Sequence, residues 1–207
     1  MNQDRLEMQL AFLMEADRLK WVNRGTVISD ASRHENTAEH SWHVSLMAHV
    51  LKEYALPGTN VDHAVTLLLN HDIVEIDAGD AYAYDEVARA AAPAREHAAA
   101  QRIYRMLPPE QATHFIELWR EFEMGQTNEA KFARALDRLQ PVMQNFATRG
   151  VMWKAHGVTR QMVVAKCQPS ITAGAPELWH TWFIPLIRAA DEQDFFAPTR
   201  AQDPTDA

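Results

Sequence analysis

The chain has 207 residues, 47% of them hydrophobic and 23% charged, the balance of one soluble globular domain able to bury a sizeable core. Its formal net charge of −8 argues against a nucleic-acid polymer or a membrane surface as partner, since both want a basic face. A small anionic ligand remains compatible, because it needs only one locally positive site.

Cys167 is the only cysteine, so no disulfide framework is expected and a reducing cytoplasm is the natural setting. Cys167 itself reads as a small buried hydrophobe. The N-terminal stretch MNQDRLEMQLAFLMEADRLKW lacks the basic start and small-residue cleavage site of a signal peptide. No segment approaches the ~18 apolar residues of a membrane span.

Apolar residues recur at helical spacing, and nothing alternates long enough to predict a strand. The first helix is expected over residues 3–22, with Leu6, Leu10, Leu13 and Met14 facing inward. A loop over 23–36 follows, with Gly25 and Asp30 in it. The second helix starts near Thr37, capped by Asn36 or Thr37, and runs to about residue 54, before the breaker Leu56-Pro57-Gly58. The third begins after Asn60 and reaches about Ile76, ended by Asp77-Ala78-Gly79-Asp80. Pro93 and Pro108-Pro109 read as starts of the next two helices, because proline is tolerated in a first turn.

From about Asn128 a helix carries Phe132, Ala135, Leu136, Leu139, Val142, Met143 and Phe146 on one face, and Pro141 is expected to kink it. Helical stretches over 159–168 and 175–196 complete a single domain over residues 1–196. The polar tail 197–207 reads as disordered. The expected fold is all-α, an irregular multi-helix bundle.

The strongest chemical feature is His71-Asp72, placed by this reading deep in the third helix behind Val65-Thr66-Leu67-Leu68-Leu69. An ionised Asp at that depth is costly unless it is paired or metal-bound. Glu75 falls one turn later on the same side. Asp77 and Asp80 follow at the helix C-terminus, where the macrodipole disfavours carboxylates and a divalent cation would offset the cost. On the second helix His40, Val44, Met47 and Leu51 form one inward stripe. A core histidine bonded to a backbone carbonyl would fit the His40 position as well as a ligand, and His43 reads as packed or exposed. Asp137 lies beside the inward stripe of its helix, where an ordinary ion pair with Arg138 is the plain alternative. Two histidines and two carboxylates form a mixed N/O set suited to Mn, Fe, Co, Ni, Zn or Mg, with coordination positions left for catalysis.

The order His, His-Asp, Asp resembles the HD-domain metallophosphohydrolases. The strings RHENTAEHSWHV (33–44), LLNHDIVEIDAGD (68–80), ELWREFE (117–123) and EAKFARALDRLQP (129–141) resemble the 5′-deoxynucleotidase branch of that superfamily. The resemblance implies one divalent ion held by His40, His71, Asp72 and Asp137, with Glu75 and Asp80 as the acidic catalytic residues. It places Arg24 near the arginine that orients the substrate phosphate, and 80–83 (Asp80, Ala81, Tyr82, Ala83) at a substrate-contacting turn, with Asp72 and Asp137 also facing substrate. Arg33 is a second candidate for the phosphate. Gly25 stands where the best-known relatives carry a sugar-reading Trp, and Tyr82 and Tyr84 replace smaller or proline-containing residues.

The implied reaction is phosphomonoester hydrolysis of (deoxy)nucleoside 5′-monophosphates. Glu75 would take a proton from the attacking water, Arg24 would balance charge on the equatorial oxygens, and Asp80 would orient the sugar or pass a proton to the leaving oxygen. A homodimer is implied as well. The competing readings are an HD phosphohydrolase acting on nucleoside triphosphates, cyclic nucleotides or a guanosine alarmone, and a non-catalytic metal-dependent ligand-binding protein. A purely structural metal fits poorly, because such sites are usually closed and cysteine-rich.

Overall fold

The computed structural model describes residues 3–198, so most of the tail read as disordered lies outside the described residues. The helix α1 (Gln3–Asp17) runs into a 3-10 turn at Arg18–Trp21. Two short strands then depart from the expected loop: β1 (Asn23–Val27) pairs antiparallel with β2 (His34–Asn36), Asn23 opposite Asn36 and Val27 opposite His34, with an irregularity between. Strands this short show too few alternations for a period of two to stand out.

The helix α2 (Thr37–Val50) opens on a capping box. The Asn36 side chain accepts from the Glu39 N–H, and the Glu39 carboxylate accepts from the Asn36 N–H, which satisfies two donors that a helix start leaves free. Side chains of Asn60, Asp85, Thr127 and Thr159 likewise cap α3 (Val61–Asn70), α5 (Glu86–Tyr104), α7 (Asn128–Ala147) and α9 (Arg160–Gly174). The one-turn helix α4 (Glu75–Ala78) lies between α3 and α5. Pro109 starts α6 (Pro109–Met124) as expected. Pro93 does not start a helix but lies inside α5, because the Asp85 cap begins that helix about two turns earlier. The short α8 (Val151–Ala155) precedes α9. After α9 come α10 (Pro176–Leu178), a π turn at Trp179–Phe183 and α11 (Ile184–Glu192).

The third helix stops sooner than its periodicity suggests. After Asn70 the backbone tightens into i→i+3 bonds, Ile73 N–H to the Asn70 carbonyl at 3.3 Å and Glu75 N–H to the Asp72 carbonyl at 2.9 Å. The Tyr104 hydroxyl donates to that same Asn70 carbonyl at 3.0 Å, so the oxygen is partly withdrawn from the helical ladder. His71 and Asp72 therefore occupy a bend between α3 and α4 rather than a helix interior.

The core sits around α7. Its Phe132, Leu136 and Leu139 belong to one buried cluster with Val44 and Met47 of α2, Leu67 and Leu68 of α3, and Ile171 of α9. Gly174 allows α9 to lie close against α7, since a Cβ there would fall 2.0 Å from the Lys131 carbonyl oxygen. The aromatic end behaves as core: Trp179 stacks on Phe183, and Trp153 on Phe196. A second cluster gathers Phe12, Ile73, Val74, Ile103, Tyr104 and Trp119.

The inward face expected of α1 is corrected. Leu6, Leu10, Leu13 and Met14 are all more than half exposed, and Phe12 is the buried residue. The packed side is largely polar: Gln9 bonds Gln111 at 2.8 Å, Arg5 pairs with Glu110, and Glu15 pairs with Arg102. Periodicity identifies an apolar face but not what covers it. No described helix is long and apolar enough to cross a membrane.

Candidate metal centre and active site

The first turn of α2 carries His40 inward, and its ring is fully buried. His40 Nδ1 lies 3.0 Å from Gln140 Oε1. That oxygen is the acceptor end of the amide, because Gln140 Nε2 donates to Glu35 Oε1 at 2.7 Å. The proton of His40 therefore resides on Nδ1 and the Nε2 lone pair points the other way, 3.1 Å from Asp137 Oδ1. His71 repeats the device from the bend after α3. Its Nδ1 donates to the Leu68 carbonyl at 2.7 Å, leaving a buried Nε2 with no hydrogen-bond partner. Asp72 Oδ2 is 3.0 Å from that nitrogen, too far out of line to bond it.

These groups fit a divalent cation. Ligand atoms of His40, His71 and Asp72 all lie within 4.8 Å of one another, and Asp137 Oδ1 is 3.1 and 3.8 Å from the two Nε2 atoms. Such spacing is what ligands at roughly 2.0–2.2 Å from one ion require. Each imidazole is already oriented through its other nitrogen, as metal-bearing histidines usually are.

The electrostatics agree. Burial disfavours a charged His71, yet Asp72 and Asp137 outweigh it and push its pKa up to about 10. Burial likewise opposes ionisation of Asp72, but the neighbouring His71, Arg24 and His40 hold its pKa down at about 2. Asp137 is held well below the usual carboxylate range against its burial, by Arg138, His40 and His71. Two carboxylates thus draw positive charge to one point, where a proton and a metal ion compete.

Arg24 reaches in from β1. Its guanidinium is 2.9 Å from Asp72 Oδ2, 3.7 Å from Asp80 Oδ1 and 3.9 Å from Glu75 Oε2. Glu75, at the start of α4, accepts from the Thr37 hydroxyl at 2.9 Å. Burial, together with Asp72 and Asp80, raises its pKa well above the ordinary glutamate value, so it is a stronger base than an exposed carboxylate. The Gly25 N–H donates to Asp80 Oδ2 at 3.1 Å.

A cavity of about 260 Å³ opens here, lined by Arg24, His71, Asp72, Glu75, Asp80 and Asp137, and by Ala81, Tyr82 and Ala83. A Cβ on Gly25 would lie 2.1 Å from Tyr82 Cδ2, so the tyrosine ring fills the room that any side chain at position 25 would need.

A model of the HD domain matches residues 16–179. The chain belongs to the HD-domain family.

A structure described as a predicted metal-dependent phosphohydrolase from Magnetospirillum magnetotacticum MS-1 matches this HD-domain chain with a TM-score of 0.90 at 45% identity, over 95% of this chain and 97% of that one. The human protein named 5′-deoxynucleotidase HDDC2 is 34% identical over 136 residues, 65% of this chain and 65% of its own length. The match thus spans just under two thirds of that relative. The 5′-deoxynucleotidase hdd1 of Schizosaccharomyces pombe is 26% identical over 140 residues, 65% of this chain and 69% of its own.

Not every expected residue reaches the site. Arg33 is about half exposed on its side chain and forks onto Glu39 at 2.6 and 2.8 Å, and it does not line the cavity. Asp77 is taken by Arg102. Conversely, the sequence reading overlooked Glu35, a buried carboxylate that accepts from both Gln140 and Gln144, at 2.7 and 2.6 Å. A signal existed: Asp137, Gln140 and Gln144 recur at helical spacing, a polar stripe beside an apolar face that had to meet a polar partner. Cys167 is buried, and burial pushes its thiol up to about 12, in keeping with a packing role.

Proposed function

We propose that this HD-domain hydrolase releases phosphate from (deoxy)nucleoside 5′-monophosphates with one divalent metal ion held by His40, His71, Asp72 and Asp137. The observation that carries this reading is the meeting of those four donors within a few ångströms of one another, at the floor of a cavity that Arg24 and Glu75 also line. The relatives named 5′-deoxynucleotidases support the nucleotide class.

A divalent cation in this donor set supplies Lewis acidity to the phosphoryl group and its attacking water. The protein groups do the rest. Arg24 orients the phosphate and offsets charge gathering on its equatorial oxygens. Glu75, held by Thr37, accepts the proton of the attacking water. The P–O5′ bond then breaks, and a proton passed back from Glu75 or by way of Asp80 neutralises the leaving O5′, so that inorganic phosphate and a nucleoside result. Asp80, fixed by the Gly25 N–H, orients the sugar side, where Ala81, Tyr82 and Ala83 form the wall. We infer in addition a homodimer, supported by two apolar stripes left exposed on the single chain: Leu6, Leu10, Leu13 and Met14 on α1, and Trp42, Leu46 and Val50 on α2.

The test is phosphate release by chelator-stripped protein from ribo- and deoxyribonucleoside monophosphates, each resupplied with Mg, Mn, Co or Zn. Turnover of monophosphates that needs added metal is expected. Release from triphosphates or cyclic nucleotides alone would move the assignment to another HD phosphohydrolase class, and metal binding without turnover of any of these would make the chain a ligand-binding protein.

A further inference from the structure

Arginines near the cavity differ in how much of their hydrogen-bonding capacity the protein already uses. Arg24 is held by Asp72 at 2.9 Å and ringed by Glu35, Glu75 and Asp80. Arg134 donates to the carbonyls of Phe122 and Glu123 at 3.0 and 2.9 Å, with its guanidinium over the Phe122 ring. Arg33, outside the cavity, is saturated by Glu39.

Arg138 is different. It lines the cavity from α7, its side chain is 29% exposed, and the one ion-pair contact of its guanidinium among the described residues is a long 3.4 Å approach to Asp137 Oδ2. A guanidinium carries five N–H donors in a rigid planar fork. Most of them are therefore unspent, and they sit next to a residue assigned to the metal.

We propose that Arg138 binds the phosphoryl oxygens of the substrate, opposite Arg24, as the second cation that the sequence reading sought at Arg33. The inference rests on the site handling phosphate monoesters. Asp137 and Arg138 are successive residues of one helix, so the ligand to the metal and the donor to the phosphate are carried by the same rigid element. The planar fork matches two oxygens of a phosphate dianion, which a single ammonium cannot do. The contact with Asp137 is long enough to be kept, or exchanged, when an anion enters.

The experiment measures inorganic phosphate binding to the Mn-loaded protein by calorimetry, alongside KM, kcat and Mn affinity. Arg138→Gln is expected to weaken phosphate on the order of tenfold to a hundredfold and to raise KM for a monophosphate more than it lowers kcat, with Mn affinity retained. Arg138→Lys should recover only part of the loss, and Arg33→Gln should leave phosphate affinity unchanged. Unchanged phosphate affinity in Arg138→Gln overturns the proposal. So does a variant that loses Mn but binds phosphate normally once reloaded, since Arg138 would then only steady Asp137. If Arg138→Gln does not fold, a Lys variant with the parent's phosphate affinity overturns it equally. A protein that binds phosphate through Arg138 yet hydrolyses no monophosphate would reject the proposed function and leave this inference standing.

Discussion

At the scale of single residues, the site works by dividing polar groups between those that bind and those that aim. His40 and His71 each spend one nitrogen on a protein acceptor, Gln140 and the Leu68 carbonyl, which turns the other toward the carboxylates of Asp137 and Asp72, where a proton or a metal ion can sit. Glu75 is aimed by Thr37 and made more basic by burial and by its carboxylate neighbours. Removing a proposed metal ligand and removing the proposed base should therefore have separable effects. Asp72→Ala is expected to abolish both metal uptake and turnover. Glu75→Gln should keep the metal, measured by elemental analysis after gel filtration, and lower kcat by roughly 10²- to 10⁴-fold. A Glu75→Gln protein as fast as the parent would remove Glu75 from the chemistry.

At the scale of elements, His40, Asp72 and Glu75 come from the beginnings and ends of helices, while Asp137 comes from the middle of α7 and Arg24 from β1. His40 lies one turn inside a helix whose first turn is fastened by Asn36 and Glu39, and Asp72 lies just past the helix that Tyr104 helps to cut short. Asn36→Ala should cost about 1 kcal/mol of stability, which for a domain of this size lowers Tm by roughly 2–4 °C. Because Glu39 is then also released, the entry of α2 loosens where His40 is positioned, and metal affinity should fall alongside Tm. Both can be read from thermal melts with and without Mn. A drop in Tm with the Mn-dependent shift preserved would mean that the cap serves stability alone.

At the scale of the whole molecule, one buried cluster around α7 binds α2, α3 and α9 into a frame, and the second cluster docks α5 and α6 with Phe12 of α1. The frame leaves the α1 and α2 apolar stripes uncovered. If the expected dimer buries α1, Leu10→Glu should convert it to a monomer in sedimentation velocity while leaving the melt of the single chain nearly unchanged; Leu46→Glu makes the same test of α2. A parent protein that sediments as a monomer would dispose of the dimer altogether.

Much of this was legible before any coordinates. His40, His71, Asp72 and Asp137 stand out as ionisable groups beside apolar helical stripes, His40 and Asp137 with a plain packing or ion-pair alternative, and only the resemblance of their motifs to one family implies them as a ligand set. Caps and prolines marked helix starts where the signal is local, as at Asn36, Asn60 and Pro109. What the linear order could not carry was which face meets which. The α1 stripe is periodic but uncovered, and Arg33, a candidate for the phosphate by sequence, is tied to Glu39, whereas Arg138, which reads in sequence as an ordinary partner of Asp137, lines the cavity. Glu35 belongs to the site only because α7 brings Gln140 and Gln144 to it across more than a hundred residues of chain. Local periodicity and capping depend on neighbours a few residues apart and are written in sequence, whereas burial and pairing depend on contacts between distant segments and exist only once the chain has closed on itself.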